Sequence, residues 1–375
     1  MHKPFVLFCA GEDSGDVLGE SLVREAIRLG FRARGVGGCR MQAVGLDAVD
    51  DYEALPVSGF LDIVPQVFRL KRILAHLEGL LKSEDCVAIV CIDYPGFNMK
   101  LVRLAERLGK PALYVAPPQV WAWKRGRAKR LRTARLAVLF DFERRVYEKL
   151  GCNAQCLRHP FPRVTGTNSN ADLLLLPGSR KSQSLRNLPF FAAVASQWHS
   201  ATSGRAVVLA SRESLVEPFT RAIRKAFGQR VPEWISVEVP PLDALARATK
   251  LTEYSYALSA PGSASLELAR SGVPLVVAGV IEPLTYFIGS RFVKTEFFAL
   301  PNILLQRGVV PEFFFTRGKA CKKVNVTAVA AELCKCNTET SRAIADTLDE
   351  TFVNAKSSEA LMLEFLGEFV ERDAH

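Results

Sequence analysis

Along the chain, short unbroken apolar runs alternate with longer stretches whose apolar residues recur every three or four positions. The runs read as strands buried on both faces, and the periodic stretches as amphipathic helices covering them. Strands are expected at Phe5 to Ala10, Arg32 to Val36, Val87 to Ile92, Ala112 to Val115 and Leu136 to Phe140. Helices are expected near Asp16 to Leu29, Asn98 to Leu108, Ala122 to Thr133 and Glu143 to Leu150. A second series opens at Asp172 to Leu176 and continues through Ala206 to Ala210, Ile235 to Val239, Tyr254 to Ser259 and Pro274 to Val277. This alternation is the pattern of parallel sheets wrapped by helices, an α/β class.

Between the series lies Arg158-His-Pro-Phe-Pro-Arg-Val-Thr-Gly-Thr-Asn-Ser-Asn170, rich in proline and small polar residues as interdomain hinges are. The expected architecture is two Rossmann-like domains with an interdomain cleft, over residues 1–165 and 166–340, followed by a C-terminal helical segment over 341–375. Ligands of such folds gather at the carboxyl ends of the strands, so the loops there are the place to look for chemistry.

Composition narrows the classes. A chain of 375 residues, 49% hydrophobic and 23% charged, exceeds what one core usually organises and carries no low-complexity tract. Phe5 to Ala10 is too short for a signal-peptide core, and no apolar run reaches the roughly 18 residues that mark a membrane span, so membrane contact is expected to be peripheral. Nine cysteines without paired metal spacing read as reduced thiols, and the five histidines are scattered, so no metal site is expected. The net charge of +10 calls for an anionic partner. In the densest basic run, Trp121 to Arg132, the aromatics stand at the start instead of among the cations, which argues against nucleic acid. That run reads as a solvated helix face or as a surface turned to another anion. Phe60 to Leu74, with Arg69, Lys71 and Arg72, is either an ordinary amphipathic helix or a segment lying in a bilayer interface.

The informative loops follow strands. Gly11-Glu-Asp-Ser-Gly-Asp16 carries carboxylates that would repel a pyrophosphate and suit a hydroxyl-rich sugar, which makes Glu12, Ser14 and Asp16 candidate contacts. Helix capping is the alternative for Ser14 and Asp16. In Cys91-Ile-Asp-Tyr-Pro-Gly-Phe-Asn98, Asp93 ends a strand beside Tyr94 and Phe97, where desolvation suits a general base, while Asn98 also reads as a cap. Arg180, closing Leu176-Pro-Gly-Ser-Arg180, is placed to neutralise a departing diphosphate or to pair with a local carboxylate. At Gly262 and Ser263 a Pro-Gly-Ser turn opens a helix whose unpaired N–H groups suit an anion, with Glu267 one turn on for a sugar hydroxyl. A simple chain reversal explains the same turn. His159 is a lone candidate that packs, caps or touches substrate. No G-x-S-x-G elbow points to hydrolysis.

Taken in order, these loops, with Gly35-Val-Gly-Gly38 and Met41, Tyr114-Val-Ala-Pro and Val120-Trp-Ala-Trp123, and Val293-Lys-Thr and Leu300-Pro-Asn-Ile-Leu304, resemble the lipid-A-disaccharide synthases over most of the chain. These are inverting glycosyltransferases of the GT-B fold. The resemblance implies transfer of 2,3-diacylglucosamine from UDP-2,3-diacylglucosamine to the 6-hydroxyl of 2,3-diacylglucosamine 1-phosphate, with release of UDP and no metal or cofactor. It implies Asp93 as the base, and Gly178, Ser179, Arg180, Gly262, Ser263 and Glu267 around UDP. Glu12, Ser14, Asp16, Asn98, Trp123 and His159 then belong to the substrate contacts. A peripheral position on the cytoplasmic face of the inner membrane is implied, as is a homodimer exchanging residues from about 340.

Four positions depart from the family's habit: Gln183 where a glutamate is usual, Arg158 and Arg163 where flanking glycine and acidic residues are common, Arg163 adding positive charge to the hinge, and Lys124 after Trp-Ala-Trp in place of arginine. The competing readings are another nucleotide-sugar enzyme, such as a UDP-N-acetylglucosamine epimerase, and a non-catalytic nucleic-acid-binding module.

Overall fold

The computed structural model describes residues 3–50, 63–121, 124–164, 170–281 and 296–372. The chain divides into two compact units, Met1–Pro160 with Phe352–His375, and Phe161–Thr351. The division falls slightly ahead of the expected boundary at 165, and the expected C-terminal segment is split by it: the helix Thr338–Glu350 belongs to the second unit and the helix Ser358–Arg372 to the first.

In the first unit the strands are β1 (Phe5–Ala10), β2 (Arg32–Val36), β3 (Asp47–Ala48), β4 (Cys86–Ile92), β5 (Ala112–Val115), β6 (Arg135–Val138) and β7 (Asn153–Cys156). They form a parallel sheet in the order β3-β2-β1-β4-β5-β6-β7. Its helices are α1 (Asp13–Arg28), α2 (Cys39–Ala43), α3 (Ile63–Lys82), α4 (Pro95–Arg107) and α5 (Asp141–Lys149).

Every residue of β1 is buried, and alternate side chains serve opposite faces. Phe5, Leu7 and Cys9 join a core with Leu77 and Leu101, whereas Val6, Phe8 and Ala10 join one with Leu22, Met362 and Phe365. Each such large side chain contributes about 1.5–3 kcal/mol by leaving water. The second of these cores explains why Ser358–Arg372 lies with this unit: its apolar stripe of Leu361, Met362, Phe365 and Leu366 completes the face beside α1. Gly35 is required by close approach, since a Cβ there would stand 1.9 Å from the Phe8 carbonyl oxygen.

The second unit holds β8 (Asn170–Leu176), β9 (Ala206–Leu209), β10 (Ile235–Glu238), β11 (Tyr254–Ser259), β12 (Leu275–Ile281) and β13 (Glu312–Thr316), parallel throughout in the order β10-β9-β8-β11-β12-β13. Around them lie α6 (Lys181–Thr202), α7 (Val216–Ala226), α8 (Ala244–Leu251) and α9 (Ser263–Arg270), among other helices.

In each sheet the chain starts in the middle, winds outward one way, and returns to continue the other way. The order reverses between β1 and β4 in one unit and between β8 and β11 in the other. At such switch points the loops at the strands' carboxyl ends diverge and leave a crevice.

Two expectations differ from the fold. Residues 122–133, read as an α-helix, contain instead a 3-10 helix over Arg125–Leu131. Its buried residues, Ala128 and Leu131, are three apart, matching the tighter period, while Gly126 and the clustered cations weaken an α-helix. The edge strands β3, β7 and β13 are not among those expected; β13 is the apolar run Phe313-Phe-Phe315. No helix among the described residues is long and apolar enough to cross a membrane.

Candidate functional site

Asp93 occupies the turn at the carboxyl end of β4, beside the first switch point. Asp93 and Tyr94 both adopt left-handed backbone conformations, with φ of 49° and 46°. For residues other than glycine this costs on the order of 1–2 kcal/mol each and persists only where the surroundings enforce it. The enforcement is visible. The Asp93 N–H donates to the Val115 carbonyl at 2.9 Å, and its own carbonyl accepts from the Tyr114 hydroxyl at 3.0 Å and from Asn98 Nδ2 at 2.9 Å. Asn98 Nδ2 also lies 3.1 Å from the carbonyls of Ile92 and Cys9, so one buried amide ties the ends of β1 and β4 to the Asp93 turn. Asn98 thus positions the candidate base from inside the fold. The Tyr94 ring lies over Gly11, where a Cβ would meet it at 2.5 Å.

The other expected contacts of this unit separate. Glu12 is the N-cap residue of α1 with an extended backbone, and Ser14 sits half-buried in the first turn, both beside the same switch point. Asp16 turns inward instead and is 4% exposed. Its Oδ2 accepts from the Arg40 N–H and its Oδ1 from the Met41 N–H, both at 3.1 Å, so it caps α2 across the fold. Gly38 allows this approach, since a Cβ there would stand 2.5 Å from Asp16 Oδ2. Burial raises the Asp16 pKa against the pull of those two bonds. Asp16 therefore clamps the Gly35-to-Met41 segment. His159 is buried, and Trp123 lies outside the described residues.

In the second unit the loops after β8 and β11 flank the other switch point. Gly178 has φ of 115° and Gly262 of 149°, values open to glycine, and these turns deliver the chain into α6 and α9. No side chain caps either helix, which leaves first-turn N–H groups for an anion. Ser179 and Ser263 are half-exposed and Arg180 exposed at these starts. The β8 loop is braced by Asn187, which donates to the Pro177 carbonyl at 2.8 Å and accepts from the Val280 N–H at 2.9 Å. Gln183 covers Gly178, its Cδ 3.4 Å from where a Cβ would lie.

Glu267 is 1% exposed and faces a partner that the sequence did not reveal. Arg247 of α8 grips it by two bonds, Nε to Oε1 at 3.0 Å and Nη2 to Oε2 at 2.9 Å. A sugar hydroxyl would have to share this carboxylate, using lone pairs that the guanidinium leaves. Arg163, expected to add charge to the hinge, is paired with Asp346 and Asp349 of Thr338–Glu350, and Arg270 joins Asp349 and the Phe161 carbonyl. Its charge is largely neutralised there, which corrects that expectation. The Leu300-to-Leu304 motif is also structural: Asn302 bonds the backbone at Val309 and Val310, and Glu312 accepts from the Phe298 and Ala299 N–H groups.

Glu143 was read only as a helix start. In the fold it is buried at the beginning of α5 and accepts from the Trp121 indole at 2.9 Å. Burial lifts its pKa from the ordinary 4.5 to about 7, against the bonds from Trp121 and the backbone at Leu139 and Phe140, and the Asp93 charge adds to the rise. The folded state therefore holds a proton between about pH 4.5 and 7 that the unfolded chain has lost, so stability falls as pH rises through that window, by roughly 3 kcal/mol. Urea unfolding at pH 5 and pH 8 reads this difference, and Glu143→Gln flattens it; an unchanged slope in the variant removes Glu143 as its source. No sequence signal marks a first-turn glutamate as buried.

A family model described as lipid-A-disaccharide synthetase matches residues 6–363. The lipid-A-disaccharide synthase of Geobacter metallireducens is 30% identical, with 96% of this chain and 97% of that protein covered. That of Syntrophus aciditrophicus is 31% identical, with 89% and 88% covered. Among solved structures, Arabidopsis thaliana UGT89C1 complexed with UDP aligns over 100% of both chains with a TM-score of 0.59 at 10% identity. The spinosyn rhamnosyltransferase SpnG complexed with thymidine diphosphate covers 98% of this chain and 100% of its own, with a TM-score of 0.54 at 11% identity. Such distant likeness speaks to fold alone, and the fold is the two-domain GT-B arrangement of glycosyltransferases. With a family match that runs through both units and relatives covered nearly end to end, the chain belongs to the lipid-A-disaccharide synthetase family.

Proposed function

We propose that the protein transfers 2,3-diacylglucosamine from UDP-2,3-diacylglucosamine to the 6-hydroxyl of 2,3-diacylglucosamine 1-phosphate, with inversion, giving the β-1,6 disaccharide 1-phosphate and UDP. The observation that carries this reading is the family match over residues 6–363. The second unit supplies the UDP site: the N–H groups opening α6 and α9 and the Arg180 guanidinium face the diphosphate, and Glu267 shares its carboxylate with the ribose. Asp93, in the first unit, takes the proton of the acceptor's 6-hydroxyl as that oxygen forms the new bond to the anomeric carbon. The bond from that carbon to UDP breaks on the opposite face, which inverts the centre, and the developing negative charge needs positive potential more than a proton. Helix ends and Arg180 provide that potential, so the transfer proceeds without a metal, and activity is retained in excess EDTA.

Acylated substrates bring the protein to the membrane surface from the cytoplasmic side. Association into a homodimer belongs to the same reading; the face beside α1 that Ser358–Arg372 covers here is where an exchanged copy would dock, and light scattering reads the assembly.

Incubating the purified protein with both acylated sugars should release UDP and yield a disaccharide of the expected mass, with neither product when either substrate is omitted. Turnover of an unacylated UDP-sugar alone would favour the epimerase reading instead. Arg180→Ala should weaken UDP binding by about tenfold, the usual size of one charge-assisted contact, as read by calorimetry. Unchanged UDP affinity would take Arg180 out of the site.

A further inference from the structure

Glu143 is a buried acid that the transfer set out above does not use. It sits in the first turn of α5, and Tyr147, also buried, stands one helical turn further on the same face. Both reach the loop that leaves β5, residues 116–121. The Tyr147 hydroxyl donates to the Pro118 carbonyl at 2.5 Å, and the Glu143 carboxylate accepts from the Trp121 indole N–H at 2.9 Å. Phe142 packs edge-on against the same indole, with ring centroids 5.1 Å apart, which fixes its plane. At its start the loop is held by Ala116, left-handed at φ 49°, whose N–H donates to the Ala137 carbonyl at 2.8 Å. The loop continues β5, and the last two residues of that strand hold the Asp93 turn: Val115 accepts the Asp93 N–H, and the Tyr114 hydroxyl donates to the Asp93 carbonyl. Through this loop α5 braces the strand end on which the candidate base is mounted.

The two acids also act on each other through charge. Repulsion makes each carboxylate harder to ionise beside the other, so an ionised Glu143 leaves Asp93 the better proton acceptor. Of the other titratable groups around Glu143, the Tyr147 phenol and the Cys156 thiol of β7 stay protonated, both pushed up by burial, and Asp141, Arg144 and Glu148 of α5 pair among themselves. Glu143 itself, lifted to about 7 by burial, changes charge near neutral pH. We propose that Glu143 is a positioning residue for the transfer: it fixes the loop after β5 through Trp121, and its negative charge strengthens Asp93 as the base. The proposal rests on the reaction assigned above, with Asp93 in that role, and gives it a pH dependence. The ionisation that weakens the fold raises kcat.

The test uses the full chain with Glu143→Gln, Glu143→Leu and Trp121→Phe, each checked for native circular dichroism. Glutamine keeps an oxygen for the indole and loses the charge, whereas leucine loses both. In wild type, kcat should rise by about threefold to tenfold between about pH 6 and about pH 8, the range expected when a general base is moderately strengthened. Glu143→Gln should stay near the lower wild-type level across that range, with donor KM and UDP affinity unchanged. Glu143→Leu and Trp121→Phe, which release the loop, should fall below it at every pH. In chain carrying nitrogen-15-labelled tryptophan, the indole signal missing from Trp121→Phe identifies Trp121. That signal should titrate with a midpoint near pH 7 in wild type and stay fixed in Glu143→Gln. A kcat rise retained in Glu143→Gln, or an indole signal that does not move in wild type, overturns the proposal. If the indole titrates through Glu143 while wild type transfers no sugar, the reaction and the coupling to Asp93 fall together and the clamp on the loop stands.

Discussion

Asp93→Asn lowers kcat by about 10²–10⁴, the usual contribution of a positioned general base, while UDP binds as before. The substitution isolates chemistry from folding. The bonds that hold this turn use the Asp93 backbone, whose N–H reaches Val115 and whose carbonyl is met by Tyr114 and Asn98, so an amide side chain disturbs none of them. Asparagine also tolerates the left-handed conformation at least as well as aspartate. The variant should therefore keep the native fold, as read by circular dichroism. Asp93→Ala loses the base and also meets the backbone penalty of φ 49°, so it should be inactive and less stable. Near-normal turnover by Asp93→Asn would transfer the base role to another group.

Arg247→Ala has the largest expected effect on stability, a loss of about 3–5 kcal/mol, because it strands the Glu267 carboxylate in a site where that side chain is 1% exposed. The pair is bidentate and Arg247 itself is only 14% exposed, so water cannot replace the lost guanidinium without opening the packing. Removing both charges together, with Arg247→Met and Glu267→Leu, should recover most of that loss, since a buried pair costs nearly as much in desolvation as it returns. The double variant then reads function without the folding defect. If Glu267 shares its carboxylate with the ribose, the folded double variant binds UDP about tenfold more weakly. A urea transition for Arg247→Ala within about 1 kcal/mol of wild type would refute the claim that the pair is a structural necessity.

Much of this was legible in the sequence. Strands such as β1 and β4 are continuous apolar runs, and in a parallel sheet covered on both faces that is what a strand must be, so hydrophobicity alone locates them. The glycine-bearing turns after them announce themselves through local chemistry, because few residues other than glycine adopt φ of 115° or 149°. Contacts between segments distant in sequence were not legible. Asp16 looks the same whether it faces a sugar or caps α2, and only the fold brings Arg40 and Met41 to it. Glu143 resembles any first-turn acid until Trp121 and the sheet enclose it. The basic run from Lys124 misleads in another way, since its helical appearance comes from composition, while burial three residues apart selects the 3-10 form.

The sequence by itself determined the α/β class, the order of strands and helices along most of the chain, the loops that carry chemistry, and the family to which they point. Those features depend on short-range patterning, in which each residue's preference is set by its neighbours in the chain. The tertiary structure decided which carboxylates are available and which are engaged. Asp93 is held in a strained turn by groups from β5 and α4, Asp16 and Glu267 are taken up by backbone amides and by Arg247, and Glu143 is buried beside Trp121. A carboxylate's role follows from its desolvation and its partners, and both are set by segments that meet only when the sheets assemble.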